Sequence, residues 1–102
     1  MDNITLEILV LAKLMQTKLD KNKHKDGNGW TRDEDGARKG WRDCSMSFLV
    51  AKLLEEVGEL LMAVEECHFD VDVHFEAADV ANLAMFIADK YSPLIDKGDK
   101  HE

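Results

Sequence analysis

Glu56 and Glu59 form an acidic pair at three-residue spacing, and Glu76 and Asp79 form a second after sixteen intervening residues, both inside runs that are otherwise apolar. On a helix, residues three apart are surface neighbours, so each pair sets two carboxylates side by side. Carboxylates beside a buried face lose hydration and repel one another, which is costly unless a cation offsets them. The group that suits four such oxygens is a hard divalent ion. Mg²⁺ is held by a few carboxylates, water and substrate phosphate, and Mn²⁺ accepts the same ligands as a substitute. Glu56, Glu59, Glu76 and Asp79 are therefore the candidate metal ligands. A plainer reading stands beside this one: acidic residues are common on solvated helix faces, and Lys52 can pair with Glu56 at i,i+4.

Helical periodicity says how the pairs are positioned. A helix capped by Ser45 or Ser47 reads through Phe48, Leu49, Leu53, Val57, Leu60, Leu61 and Val64 to about Glu66. At about 100° per residue, Glu56 and Glu59 flank this stripe on one side, and Glu55 points away from it. A further helix starts near Asp70 or Asp72 and runs through Val73, Val80, Leu83 and Ile87 to Tyr91, with Pro93 as its stop. The same rotation puts Glu76 within the stripe and Asp79 at its edge. A short connection makes the two helices antiparallel neighbours, so all four carboxylates converge on one seam.

The remaining segments frame this pair. A first helix, from Asp2 or Asn3 to about Leu19, is apolar on more than one side and calls for two packing neighbours, one of them supplied by another subunit. Residues 20–45 form a Gly-rich, charged loop, and residues 96–102 a polar, flexible tail. No alternating pattern argues for a strand. The predicted fold is all-α, an antiparallel helical bundle spanning 1–102 as one domain, with its core completed by oligomerisation.

Outside the seam, Asn82 follows Asp79 by three residues and can hydrogen-bond a ligand or simply water. Arg38, Lys39 and Trp41 offer cations for phosphate and a ring for stacking, although a tryptophan after a glycine also serves as a loop anchor. Lys52 is a further candidate for phosphate contact, whereas Phe86 and Met85 read as packing residues.

Composition narrows the function classes. A net charge of −8 argues against a nucleic-acid partner. The charge is uneven: residues 21–43 carry seven basic against five acidic side chains, leaving six against sixteen elsewhere. An acidic body with a mildly basic segment suits a metal site beside an anionic ligand. No run is long and apolar enough for a membrane span and no leader pattern is present, so a cytoplasmic location is expected. Cys44 and Cys67 have no metal-ligand spacing. His24, His68, His74 and His101 show neither an HExxH nor an ExxH spacing, against a zinc hydrolase or a di-iron bundle.

The ordered set Glu56-Val57-Gly58-Glu59 and Glu76-Ala77-Ala78-Asp79 resembles the ExxE and ExxD signature of the MazG-like, all-α nucleoside triphosphate pyrophosphohydrolases. Leu53-Leu54-Glu55-Glu56-Val57-Gly58-Glu59-Leu60 and Ala78-Asp79-Val80-Ala81-Asn82-Leu83-Ala84-Met85 are similar to that family's two core helices. Lys39-Gly40-Trp41 resembles the Gly-Trp element of short phage and mobile-element members, and the likeness covers roughly residues 38–91. The long insert at 22–37 departs from the plainer members.

The resemblance implies a homodimer or homotetramer and Mg²⁺-dependent hydrolysis of a (deoxy)nucleoside triphosphate to the monophosphate and pyrophosphate, a house-cleaning activity on the nucleotide pool. Its metal ligands would be Glu56, Glu59, Glu76 and Asp79, with Asn82 touching the ligand. Glu56, nearest the stripe of its helix, is the favoured general base. The alternatives are a non-catalytic helical interaction or regulatory protein, and a related pyrophosphohydrolase acting on dUTP or phosphoribosyl-ATP.

Overall fold

The computed structural model describes residues 3–23, 31–32, 38–66 and 70–95. Three helices dominate them: α1 (Leu6–Lys23), α2 (Met46–Glu65) and α3 (Asp70–Tyr91). The fold is an all-α antiparallel bundle, as the periodicity predicts. The contacts between α2 and α3 run in opposite chain directions, with Leu49 beside Phe86 at one end and Glu56 beside Asp79 at the other.

Each helix boundary has a local cause. Ser45 caps α2, its side-chain oxygen accepting from the Phe48 amide at 3.1 Å. α1 starts later than its apolar pattern suggests because Thr5 takes the equivalent position, accepting from the Ile8 amide at 3.4 Å. It also runs past Leu19 to Lys23, through residues assigned above to the loop. No Gly or Pro interrupts 20–23, and Gln16 donates to Asp20 one turn on at 2.8 Å. α3 ends at Tyr91, two residues before Pro93, and the Leu94 amide donates to Asp89 Oδ1 at 3.0 Å.

Within 20–45 lie two features that periodicity does not reveal. A two-residue antiparallel ladder pairs Thr31 with Lys39 and Arg32 with Arg38, and a 3₁₀ turn spans Trp41–Asp43. Two residues per strand are too few for alternation to register. The tail at 96–102, Cys67 and three of the four histidines lie outside the described residues.

α3 is the central helix, with α1 and α2 both packed on it. The core gathers where the 3₁₀ turn and α2 meet α3: Cys44, Leu49, Leu83 and Phe86 are buried together, and Leu19, Trp41, Phe48 and Leu53 pack around them. Phe86 thus fills the packing role expected of it. Both outer helices leave apolar residues uncovered, Ile4, Leu6, Ile8, Leu9 and Val10 on α1 and its approach, and Val50, Leu54, Leu61 and Val64 on α2. No described helix is long and apolar enough to cross a membrane.

Candidate metal centre

The buried face of α2 is rotated from the one its sequence suggests. Leu61 and Val64 are more than half exposed, whereas Leu49 and Ala63 are buried. The shift is toward the carboxylate side, so Glu56 lies within the face that packs on α3 instead of flanking it. On α3 the buried face shifts in the same rotational sense, with the opposite effect on its glutamate. Ala78, Asn82, Leu83 and Phe86 are the buried positions, which centres the packed face nearer Asp79 and leaves Glu76 toward its edge.

These two rotations bring one carboxylate oxygen from each of Glu56, Glu76 and Asp79 within 4.8 Å of one another, all three side chains half-buried. Oxygens about 2.1 Å from a shared Mg²⁺ stand about 3–4.2 Å apart, so small side-chain adjustments close the set. Glu56 Oε1 and Glu76 Oε1 are buried with no hydrogen-bond partner. A buried acceptor left unpaired costs about 1–3 kcal/mol, more when charged, and a divalent cation satisfies both oxygens at once. The donor set fits the metal: hard oxygens only, in a number that leaves positions for water and phosphate.

The electrostatics agree. Burial, then the charges of Glu59 and Asp79, push the Glu56 carboxyl up to about 7, with Lys52 opposing them. Burial followed by Glu59 and Asp79 likewise raises Glu76. Asp79 is raised by burial and restrained by Lys18, whose Nζ stands 3.4 Å from Asp79 Oδ2. Glu59 is exposed and outside the three-oxygen set, but its carboxylate stands close enough to Glu76 to add to the rise of that group.

The other residues singled out from sequence fall in several places. Asn82 is buried beside the cluster; its Nδ2 donates to the Met15 carbonyl at 3.1 Å and its Oδ1 has no partner. Lys52 pairs with Glu55 at 2.9 Å rather than with Glu56. Trp41 stacks on Phe86 with centroids 4.5 Å apart, carries the Arg42 guanidinium 4.2 Å from its own centroid, and donates from Nε1 to Asp89 at 3.3 Å. Asp89 lies ten residues beyond Asp79 on α3, about 15 Å along the axis, so Trp41 is placed at the opposite end of the seam from the carboxylates. Arg38 and Lys39 form the second strand of the ladder, and their side chains lie outside the described residues.

Sequence reasoning missed Lys18 and Asp89. A signal for Lys18 is present: the apolar series Leu11, Leu14 and Met15 gives way to Thr17, Lys18 and Lys21 on the same side of α1. Asp89 carries no local signal, since its partners Trp41 and Arg42 are far away in the chain. No protein-family model matches the chain, and no curated protein or solved structure matches it significantly.

Proposed function

We propose that the chain is a Mg²⁺-dependent pyrophosphohydrolase of the MazG-like type, cleaving (deoxy)nucleoside triphosphates to a monophosphate and pyrophosphate as a house-cleaning activity in the cytoplasm. The observation that carries this reading is the convergence of Glu56, Glu76 and Asp79 with two buried, unpartnered carboxylate oxygens. Glu59 would be the fourth ligand beside them, and Mn²⁺ would serve as a substitute for Mg²⁺. A bound divalent ion neutralises phosphate charge and lowers the pKa of a coordinated water.

The protein's own residues do the rest. Glu56, on the packed face of α2, would take the proton of the attacking water. The water oxygen bonds to a phosphorus of the α–β bridge, and the bridging oxygen leaves with the other phosphate, so the products are the monophosphate and pyrophosphate. Asn82 offers the unpartnered Oδ1 and supports the α1–α3 contact through Nδ2. Lys52, Arg38 and Lys39 are further candidates for phosphate contact. Stacking of a base on Trp41 would displace the exposed Arg42 guanidinium from its ring.

The uncovered apolar faces of α1 and α2 support a homodimer or homotetramer, since exposed residues of this kind in quantity mark an interface. The test is pyrophosphate release from a panel of dNTPs and NTPs, with dUTP and phosphoribosyl-ATP included, with and without Mg²⁺. Release is expected only with the metal. No release from any nucleotide, together with no Mg²⁺-dependent rise in Tm, would overturn the reading in favour of a non-catalytic interaction protein.

A further inference from the structure

The acidic cluster shares Glu76 with a cavity of different lining. Thr17, Lys18 and Lys21 of α1 and Asp72, Phe75 and Glu76 of α3 enclose about 300 Å³. Glu76 belongs to both, so the cavity and the candidate metal centre share a wall. Its two lysines stand one turn apart on α1 and face the same side. Lys18 Nζ reaches Asp79 at 3.4 Å and lies 5.6 Å from the centroid of the Phe75 ring. Thr17 donates its hydroxyl proton to the Lys13 carbonyl at 2.9 Å, which leaves the lysines as the cavity's strong donors.

A second cavity near the same helices contrasts with it. Leu6, Val10, Leu11, Leu14 and Ala77 line most of a cleft of about 340 Å³, with Glu7 and His74 as its polar residues and no lysine or arginine. The change from apolar to basic along α1 falls where α3 presents Glu76 and Asp79.

We propose that the cavity between α1 and α3 receives the polyphosphate end of the substrate, with the ammonium groups of Lys18 and Lys21 contacting its phosphate oxygens. The inference rests on the triphosphate reading above and assigns its anion pocket to α1, a helix outside the acidic signature. The physical need is plain. A triphosphate carries about four negative charges, and a protein of net charge −8 must meet them with local cations. Lys18 is committed to Asp79 while no divalent ion is bound. A divalent ion on Asp79 would repel the Lys18 ammonium, and the flexible stem of Lys18 would let it turn to the phosphate chain instead. A volume of about 300 Å³ is at the small end for ligand cavities. It suits a phosphate chain and leaves the nucleoside outside, so selectivity for the base is set elsewhere.

The test compares wild type with Lys18→Gln, Lys21→Gln, the double variant and Lys18→Arg. Two readouts are used: NTP hydrolysis with Mg²⁺, and calorimetric titration of Mg²⁺-loaded protein with inorganic tripolyphosphate. The double variant is expected to lose about tenfold or more in kcat/KM, carried mainly by KM, and to bind tripolyphosphate about tenfold or more weakly. Lys18→Arg should keep most of both. Lys21→Gln alters an exposed side chain and guards against misreading a folding defect. Unchanged KM and unchanged tripolyphosphate affinity in a folded double variant would overturn the assignment while leaving the pyrophosphohydrolase reading intact. If wild type hydrolyses no nucleotide, the titration still decides: tripolyphosphate binding that the double variant weakens upholds the cavity, and absence of binding by wild type overturns it.

Discussion

Lys18 of α1 and Asp79 of α3 form an ion pair at 3.4 Å, each side chain about one-fifth exposed. The acidic cluster of the metal-free protein is therefore partly neutralised from a helix that carries none of its carboxylates. Glu56 and Glu76 have no comparable partner for their buried oxygens, and this asymmetry separates the behaviour of the three acids.

Glu76→Gln and Glu56→Gln should each raise the Tm of the metal-free protein, because each removes a repelling charge and a raised carboxyl. Asp79→Asn should be nearly neutral, within about 1 kcal/mol, because it also gives up the pair with Lys18. All three should lose the Mg²⁺-dependent rise in Tm and lower hydrolysis by about a hundredfold or more. Thermal melts with EDTA and with Mg²⁺ separate these outcomes.

The stability of the metal-free protein should fall as pH rises. A carboxyl raised from 4.5 to about 7 makes the folded state bind the proton more tightly than the unfolded state does. The resulting stabilisation is full below about pH 4.5 and is lost as pH climbs through 7. The size is on the order of 1–2 kcal/mol, less than full linkage gives, because Glu56 is only half-buried. In Mg²⁺ the trend should weaken or reverse, since ligation needs the ionised form. Melts between pH 5 and 8.5 with and without the ion check both signs.

Asn82→Ala should cost about 1–3 kcal/mol through the lost bond to the Met15 carbonyl and the space left behind. Asn82→Asp should cost more at pH 8 than at pH 5, because it places a carboxylate in a buried position against that carbonyl. Urea unfolding at the two pH values measures the difference.

Trp41→Ala should destabilise by about 2–4 kcal/mol, as it removes the stack on Phe86 together with the bond to Asp89. Trp41→Phe keeps a ring against Phe86 and should cost about 1 kcal/mol for the hydrogen bond. Chemical denaturation followed by circular dichroism gives both values.

Val10→Glu or Leu61→Glu, on the uncovered faces of α1 and α2, should shift the proposed homo-oligomer toward monomer. Sedimentation velocity reads the change, and a wild-type Tm independent of protein concentration would count against assembly through these faces.

The sequence makes some of this legible and hides the rest for identifiable reasons. Helices α2 and α3 are strongly periodic and Ser45 is a good cap, so their existence, extent and antiparallel pairing follow from pattern alone. The rotational setting does not. Leu61 and Val64 are as apolar as Leu49, and nothing local says that the first two face outward. That ambiguity put Glu56 at an edge and Glu76 at a centre, the reverse of their positions here. Lys18 escaped notice because its meaning depends on Asp79, which lies on another helix far along the chain, and the Thr31–Lys39 ladder because two-residue strands leave no alternation.

Asp89 has a reach beyond its own neighbourhood. Its carboxylate accepts from Trp41, pairs with Arg42 and accepts from the Leu94 amide, while Lys90 donates to the Arg42 carbonyl at 3.0 Å. This clasp fixes the 3₁₀ turn and, two residues later, the Ser45 cap from which α2 begins. A slip of one residue at that origin would turn every later position by about 100°, enough to swing Glu56 out of the cluster. The phase of the chemistry is thus set from the far end of the molecule, and damage to the clasp should be felt as a mistimed rotation before it is felt as unfolding.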